Sequence, residues 1–145
     1  MSAARFGSLL EGLPSGPQPD ETFATLAALP NVRIERIVST GQASPDGFWY
    51  DQGWDEFVLL VAGTATLQVE GEGDRRLTAG DWTLLPARTR HRVAATAAGG
   101  PTVWLAIHIG EAGSGSSSGP GSEREGAAGA EWQEHRGHCA PPICR

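Results

Sequence analysis

The stretch FVLLVAGTATLQVEGEGD, residues 57–74, carries the strongest secondary-structure signal in the chain. Residues 57–63 are almost all apolar and too few for an isolated helix, which predicts a strand covered on both faces. Gly63 then provides a turn, and apolar residues alternate with polar ones from 64 to 70, as in a strand with one buried face. The GEGD segment at 71–74 has the composition of a hairpin turn. Two antiparallel strands are therefore predicted on either side of Gly63.

Short apolar segments separated by turn residues continue on both sides of this stretch. The further predicted strands are 32–37, 75–77, 81–85, 91–95 and 102–109. Many short strands at this spacing are typical of a sandwich or a barrel, and closing a barrel removes the exposed sheet edges. We therefore predict an all-β fold, an antiparallel β-barrel of the jelly-roll type, over residues 32–110.

The segment before this domain has a different pattern. Residues 20–29 read DETFATLAAL and place three apolar residues on one helical face: Phe23, Leu26 and Ala27. Asp20 suits the N-cap of a helix, and Pro30 follows its last residue. The sequence thus predicts a short helix within an N-terminal extension of residues 1–31.

The segment after the domain, residues 111–145, is dominated by glycine, serine, alanine and proline. Few of its residues could offset the entropy lost on ordering, so we predict a flexible low-complexity tail. Both cysteines, Cys139 and Cys144, lie in this tail. The predicted core is therefore free of cysteine, which agrees with a reducing compartment.

Charge and hydropathy exclude several classes of partner. The formal net charge of the 145 residues is −6, and the basic residues form no long cluster, which excludes nucleic acid and anionic membrane surfaces as expected partners. No window approaches the length of a membrane span, and the N-terminus has no apolar segment suited to secretion. The sequence predicts a soluble, cytoplasmic protein.

Two polar residues stand beside strongly apolar strands. Glu56 begins the 57–63 segment, and an ionised carboxylate entering an apolar interior needs a cation, a proton or several hydrogen-bond donors. His91 begins another predicted strand, after a turn that contains Pro86. These residues are candidates for a pocket, and the alternative is a salt bridge or a hydrogen bond at the rim of the barrel.

The spacing of these residues resembles a known family. Glu56 lies seven residues before Gly63, and residues 80–91 read glycine, five residues, proline, four residues, histidine. This resembles the two motifs of the cupin superfamily, and the resemblance over residues 32–109 is greatest to small single-domain bacterial cupins. It implies a β-barrel with an internal pocket. Arg88 departs from the family pattern, because it stands where glycine is usual.

The resemblance also implies a metal site. In metal-binding cupins the first motif supplies two histidines and a glutamate, and the second motif supplies one histidine. This chain retains the glutamate as Glu56 and the last histidine as His91, but it lacks the first two histidines. At the shorter family spacing, Gln52 takes the place of one of them. The implied cofactor is one divalent metal ion, which is iron, manganese, nickel or zinc, and its predicted ligands are Gln52, Glu56 and His91.

Three further residues are candidates for the same pocket. Tyr50 and Asp51 occupy first-motif positions at the two spacings that the family uses, and both side chains can bind or orient a cation. His108 shares a face with Trp104 and Ala106 in the last predicted strand. If it points inward, it gives a set of two histidines and one carboxylate, as in non-haem iron oxygenases. The alternative for His108 is a structural, hydrogen-bonded role.

Three functions remain open from the sequence. The first is a metal-dependent enzyme that acts on a small polar molecule, by activating oxygen or by polarising a carbonyl group. The second is a non-catalytic module that binds or senses a small ligand in the same pocket, which the loss of the first-motif histidines favours. The third is a structural homodimer formed through the sheets.

Overall fold

The computed structural model describes residues 3–110, which form eight β-strands and no helix. The strands are β1 Thr22–Leu29, β2 Val32–Ser39, β3 Asp55–Ala62, β4 Thr64–Val69, β5 Gly73–Thr78, β6 Trp82–Leu85, β7 His91–Thr96 and β8 Thr102–Ile109. None of the described residues therefore belongs to a helix that could cross a membrane. The predicted tail at 111–145 lies outside the described residues.

The strands form two antiparallel sheets. One has five strands in the order β1-β2-β8-β3-β6, and the other has three strands in the order β5-β4-β7. Within residues 3–110 no ladder of paired strands joins one sheet to the other, so no closed barrel is detected there and the two sheets form a sandwich. At the turn between β3 and β4, the chain passes from the five-stranded sheet to the three-stranded sheet. The all-β, antiparallel class is confirmed.

The predicted helix at 20–29 is wrong, because Thr22–Leu29 forms β1. The strand pairs with β2 from Thr22 opposite Val38 to Leu29 opposite Val32. The register shifts between Thr25 and Ala27, so Leu26 is an extra residue in a β-bulge. A bulge interrupts the alternation of side chains, and the apolar residues on either side of it then follow a spacing that resembles a helical face.

A two-residue turn explains why this segment returns as a hairpin. Leu29 pairs with Val32, which leaves Pro30 and Asn31 as the loop. Proline fixes the φ of the first loop position, and Asn31 adopts a φ of 62°, a left-handed conformation that asparagine tolerates. Pro30 therefore begins a hairpin loop rather than ending a helix.

The core lies between the two sheets. It is a cluster of buried side chains contributed by both: Val58, Leu60, Ala65, Leu67, Leu77, Leu85 and Trp104. In β3, Glu56, Val58 and Leu60 point inward and are buried, whereas the residues that alternate with them at 57, 59 and 61 are half-buried. Phe57 on the outward face stacks on Trp82, with ring centroids 5.5 Å apart. The second face of β3 is thus covered only in part.

Gly63 occupies a turn that admits no side chain. Its φ is +84°, and a Cβ at this position would lie 2.5 Å from Thr102 Oγ1 and 2.7 Å from Thr102 Cα. Thr102 is itself fully buried at the start of β8. The turn therefore brings the backbone of β3 and β4 into direct contact with β8.

Candidate functional site

A pocket opens between the sheets and is lined by both polar and aromatic side chains. Its cavity volume is about 100 Å³. The polar lining residues are Glu21, Glu35, Gln52, Glu56, His91 and His108. The aromatic ones besides histidine are Phe23, Tyr50, Trp54 and Trp104. Both Glu56 and His91, the residues that the motif spacing selected, are in this set.

The register of β3 and β8 places Glu56 beside His108. The two residues are direct cross-strand partners, and side chains in such positions stand close together on one face of a sheet. Glu56 is 7% exposed, and its Oε2 atom makes no hydrogen bond within residues 3–110. An anionic oxygen in that position is the feature that most requires a partner in the pocket.

His91 comes from the opposite sheet and faces Glu56. Its Nδ1 lies 2.9 Å from the Thr89 carbonyl oxygen, which can only accept a hydrogen bond, so Nδ1 carries a proton. Its Nε2 lies 3.6 Å from Glu56 Oε2. The imidazole is 6% exposed, so this approach takes place away from solvent. In the neutral ring, the Nε2 lone pair therefore faces the carboxylate.

The electrostatics of the pocket favour an ionised Glu56. Burial alone would raise the pKa of this carboxyl group, but the interaction with His91 and the proximity of His108 outweigh the burial, and the pKa lies below its ordinary value. Glu56 thus carries a negative charge at neutral pH, although it is buried.

His108 takes part in a different set of contacts. Its Nδ1 accepts a hydrogen bond of 2.9 Å from Trp54 Nε1, which can only donate. In the neutral ring the proton is then on Nε2, which lies 3.8 Å from Glu35 Oε1. His108 points inward, as the ligand prediction required, but Trp54 uses the lone pair at Nδ1. The contacts support a structural role, and ligation by His108 stays a prediction.

The remaining first-motif candidates are in different surroundings. Gln52 is 8% exposed and lines the pocket. Tyr50 also lines it and stacks on His91, with ring centroids 5.3 Å apart and planes 22° apart. Asp51 is exposed, and its side chain lies 3.4 Å from Arg88 Nη1 outside the pocket lining. The structure thus places Gln52 and Tyr50 in the same pocket as His91, but not Asp51.

Two pocket carboxylates were missed by the sequence analysis. Glu35 is buried on β2, with Arg33 Nη2 at 3.4 Å. Glu21 precedes β1, and its Oε1 accepts a hydrogen bond of 2.6 Å from Ser39 Oγ. For Glu35 no distinct signal was available, because β2 also contains the charged residues Arg33 and Arg36. Glu21 gave no signal, because the segment was assigned to a helix.

A short loop beside the pocket holds the Gln52 segment in place. The Arg88 backbone N–H donates to the Gln52 carbonyl oxygen at 2.7 Å, and the Ala87 N–H donates to Asp55 Oδ1 at 2.8 Å. Arg88 has a φ of 66°, which is a left-handed conformation. This explains why glycine is usual at this position in the family that the motifs resemble, because glycine adopts such a φ without strain.

Arg88→Gly is expected to be more stable than Arg88→Ala by about 0.5–1 kcal/mol. Both variants lose the side chain, but alanine keeps the left-handed strain of about 1–2 kcal/mol, and the greater freedom of glycine in the unfolded chain offsets only part of it. Urea unfolding of both variants measures the difference. At Arg90, whose φ is not positive, the alanine variant should be more stable than the glycine variant. If alanine were the more stable substitution at both positions, the argument would be contradicted.

The donor set fits a divalent metal ion in part. His91 donates through Nδ1 to a backbone carbonyl group, as metal-binding histidines usually do, and its Nε2 faces the unpartnered Glu56 Oε2. However, within residues 3–110 no three His, Cys, Asp or Glu side chains come together closely enough to hold a metal ion. A site built on Glu56 and His91 therefore needs the amide of Gln52, or the ligand itself, to complete it.

The fold and the pocket define a class of protein, the small antiparallel β-sandwich with a polar interior site. A family model for the cupin domain matches residues 37–108. The chain belongs to the cupin superfamily, as the motif resemblance predicted. No functionally curated protein has significant similarity to it.

Several solved structures are similar to this chain. A candidate mannose-6-phosphate isomerase of Ralstonia eutropha is 47% identical with a TM-score of 0.71, and the match covers 74% of this chain and 99% of that one. A cupin superfamily protein of Desulfitobacterium hafniense is 17% identical with a TM-score of 0.60, covering 75% and 94% of the two chains. KdgF from Halomonas is 22% identical with a TM-score of 0.54, covering 63% and 82%. The last two share the fold alone.

Proposed function

We propose that this cupin binds one divalent metal ion through Glu56 and His91, with the Gln52 amide oxygen as a third ligand, and that the ion holds a small polar molecule in the pocket. The observation that carries the proposal is the arrangement of two buried acceptors. His91 Nε2 and Glu56 Oε2 lie 3.6 Å apart, and Nδ1 of His91 already carries the ring proton. Two acceptors that face each other away from water require a positive charge near both.

The chemistry of these ligands indicates which ions are suitable. One imidazole, one carboxylate and one amide form a harder set than the histidine-rich sites of the superfamily, so Mn²⁺ and Fe²⁺ suit it better than softer ions do. A bound ion would supply Lewis-acid polarisation of a ligand oxygen. The protein supplies the apolar walls that exclude water and the orientation of His91 through Thr89.

A second candidate follows from the absence of a three-residue cluster in the described part of the chain. In it, the positive charge is a proton on His91 Nε2, and the His91–Glu56 pair binds a small ligand by hydrogen bonds without a metal ion. Such a pair can also transfer a proton to or from a ligand. Metal binding by the purified protein separates the two candidates.

We expect one saturable site when the full-length protein is titrated with Mn²⁺. Binding is measured by calorimetry or by the electron paramagnetic resonance signal of free Mn²⁺. Glu56→Gln keeps the side-chain volume but removes the charge, and it should weaken this site by at least about 100-fold, beyond the loss seen for residues that only orient ligands. Glu70→Gln is the matched control, because Glu70 is exposed and pairs with Arg90. It should leave the affinity unchanged.

A further variant removes metal-capable groups of the tail. His138→Ala combined with Cys139→Ser should leave the same Mn²⁺ site in place. Absence of any saturable site, or a site that Glu56→Gln leaves intact, would overturn the metal proposal. The first of these results would support the protonated pair.

A further inference from the structure

The charges that face the pocket are negative. Three glutamates line it, and within residues 3–110 no lysine or arginine does so. Glu35 has Arg33 at 3.4 Å, and Glu56 has His91 at 3.6 Å. Glu21 forms no ion pair with any described residue, so its carboxylate has no cationic partner in that part of the chain. The pocket thus contains an anionic group that the proposed metal site does not use.

Glu21 is held in a fixed orientation. Trp104 Nε1 donates to Ser39 Oγ at 3.2 Å, and Ser39 Oγ lies 2.6 Å from Glu21 Oε1. Because an indole can only donate, Ser39 accepts from Trp104 and directs its own proton to Glu21. Trp104 and Ser39 are both buried. The two hydrogen bonds therefore position one carboxylate oxygen at the pocket wall as an acceptor.

The surroundings of Glu21 favour a cationic partner. Burial raises the pKa of its carboxyl group, and the Ser39 hydrogen bond opposes this in part. Burial makes ionisation of Glu21 costly, and an opposite charge within a few ångströms offsets that cost. Aromatic rings line the same cavity: Phe23, Tyr50, Trp54 and Trp104. The faces of aromatic rings attract cations, most strongly where water is excluded.

We propose that the ligand of this pocket is a small organic cation, an ammonium compound whose nitrogen lies against Glu21 and the aromatic walls while its other end faces Glu56 and His91. This rests on the proposed function, because it takes the same pocket to be the ligand site. A cavity of about 100 Å³ that opens to solvent admits only a small ligand. A phosphorylated sugar is the wrong class, because its phosphate would face carboxylates.

The test compares charged probes with uncharged probes of similar shape. Choline is paired with 3,3-dimethylbutan-1-ol, in which carbon replaces the nitrogen, and ethanolamine is paired with ethylene glycol. Calorimetry on the full-length protein, with and without Mn²⁺, should show about tenfold tighter binding of the cation in at least one pair, which is the scale of one desolvated cation–π or ionic contact. Inorganic phosphate should not bind in the pocket.

Variants then assign the preference to Glu21. Glu21→Gln should remove the tenfold preference for the cation and leave the affinity for the uncharged probe unchanged. Glu72→Gln, in the exposed turn before β5, should retain the preference. Circular dichroism melting shows whether each variant is folded, and Ser39→Ala provides a second variant that disturbs the orientation of Glu21 without removing its charge. It should reduce the preference in part.

The outcomes separate this proposal from the metal proposal. Equal binding of charged and uncharged probes in both pairs, or tighter binding of phosphate than of either cation, would overturn the ammonium proposal. If Mn²⁺ still binds at Glu56 in that case, only the ligand class is wrong. If Glu21→Gln loses the cation preference while its Mn²⁺ affinity stays at the wild-type value, the ligand class is supported independently of the metal site.

Discussion

Replacing Gly63 by alanine is expected to lower the free energy of unfolding by about 2–4 kcal/mol. The left-handed φ of +84° costs about 1–2 kcal/mol for a residue with a Cβ. The new methyl group would also lie 2.7 Å from the Cα of Thr102, and this contact is with backbone that cannot rotate away. Forcing an extra methyl group into a packed interior adds about 1–3 kcal/mol. Urea unfolding monitored by tryptophan fluorescence measures the change.

Gly71→Ala is the matched control for this variant. Gly71 has a φ of +83°, but a Cβ there would meet no atom within 4 Å. The control should therefore show only the net backbone cost, which is about 0.5–1 kcal/mol once the greater freedom of glycine in the unfolded chain is subtracted. Equal losses for the two variants would mean that β8 moves away from the turn at little cost, and the close contact at Thr102 would then be unimportant for stability.

Replacing His91 by alanine is expected to destabilise the metal-free protein by about 3–5 kcal/mol at neutral pH. In the metal-free pair described above, a proton on His91 Nε2 balances the charge of Glu56. The variant leaves Glu56 ionised and buried without that partner, and breaking a buried pair on one side typically costs this amount. The measurement is urea unfolding in the presence of a chelator. If Glu56→Gln is introduced as well, the cost of losing His91 should fall by about 1–3 kcal/mol, since no buried charge then remains. An unchanged cost would contradict the argument.

The single variant His91→Ala should also show an altered pH dependence of its stability. In the wild type, the pKa of Glu56 is lowered, so its stabilising contribution is fully present above the unfolded pKa and is lost as the pH falls through the folded value. Without His91, less opposes the effect of burial, so the pKa of Glu56 rises. The ionised carboxylate then destabilises the folded state more, and protonation removes this destabilisation. The stability difference between wild type and variant should therefore be smaller at pH 4 than at pH 7.

Most of the strands could be predicted from the sequence. Thr102–Ile109 forms β8 with the predicted bounds, and the apolar segment at 57–63 becomes β3, Asp55–Ala62. These segments combine a short apolar run with clear turn residues at both ends. The separation into two sheets could not be read from the pattern, because alternation shows which face of a strand is buried but not which strands pair.

The helix prediction at 20–29 failed for a local reason. The bulge at Leu26 breaks the two-residue period, and Pro30 is equally suited to follow a helix or to begin a turn. Only the pairing with β2, which is a tertiary contact, decides between these structures. The error also concealed Glu21, which belongs to the pocket because β1 is a strand of the larger sheet.

The site was predictable to the extent that its residues fall within motifs. Motif spacing selected Glu56 and His91, and in the structure Glu56 Oε2 lies 3.6 Å from His91 Nε2. The contact of His108 with Trp54 could not be anticipated, because 54 residues separate them in sequence and no periodicity relates the two. Glu35 could not be distinguished from Arg33 and Arg36, the other charged residues of β2, until the structure showed that it is buried in the pocket.

The bulge in β1 also bears on aggregation. In the described residues β1 is an edge of the five-stranded sheet, and a long regular edge can pair with the backbone of another molecule and start fibril growth. Leu26 disrupts that edge, and its carbonyl oxygen accepts a hydrogen bond of 2.8 Å from Arg5 Nη2. The irregularity that resembles a helical face in the sequence thus makes the strand a poor template for intermolecular pairing.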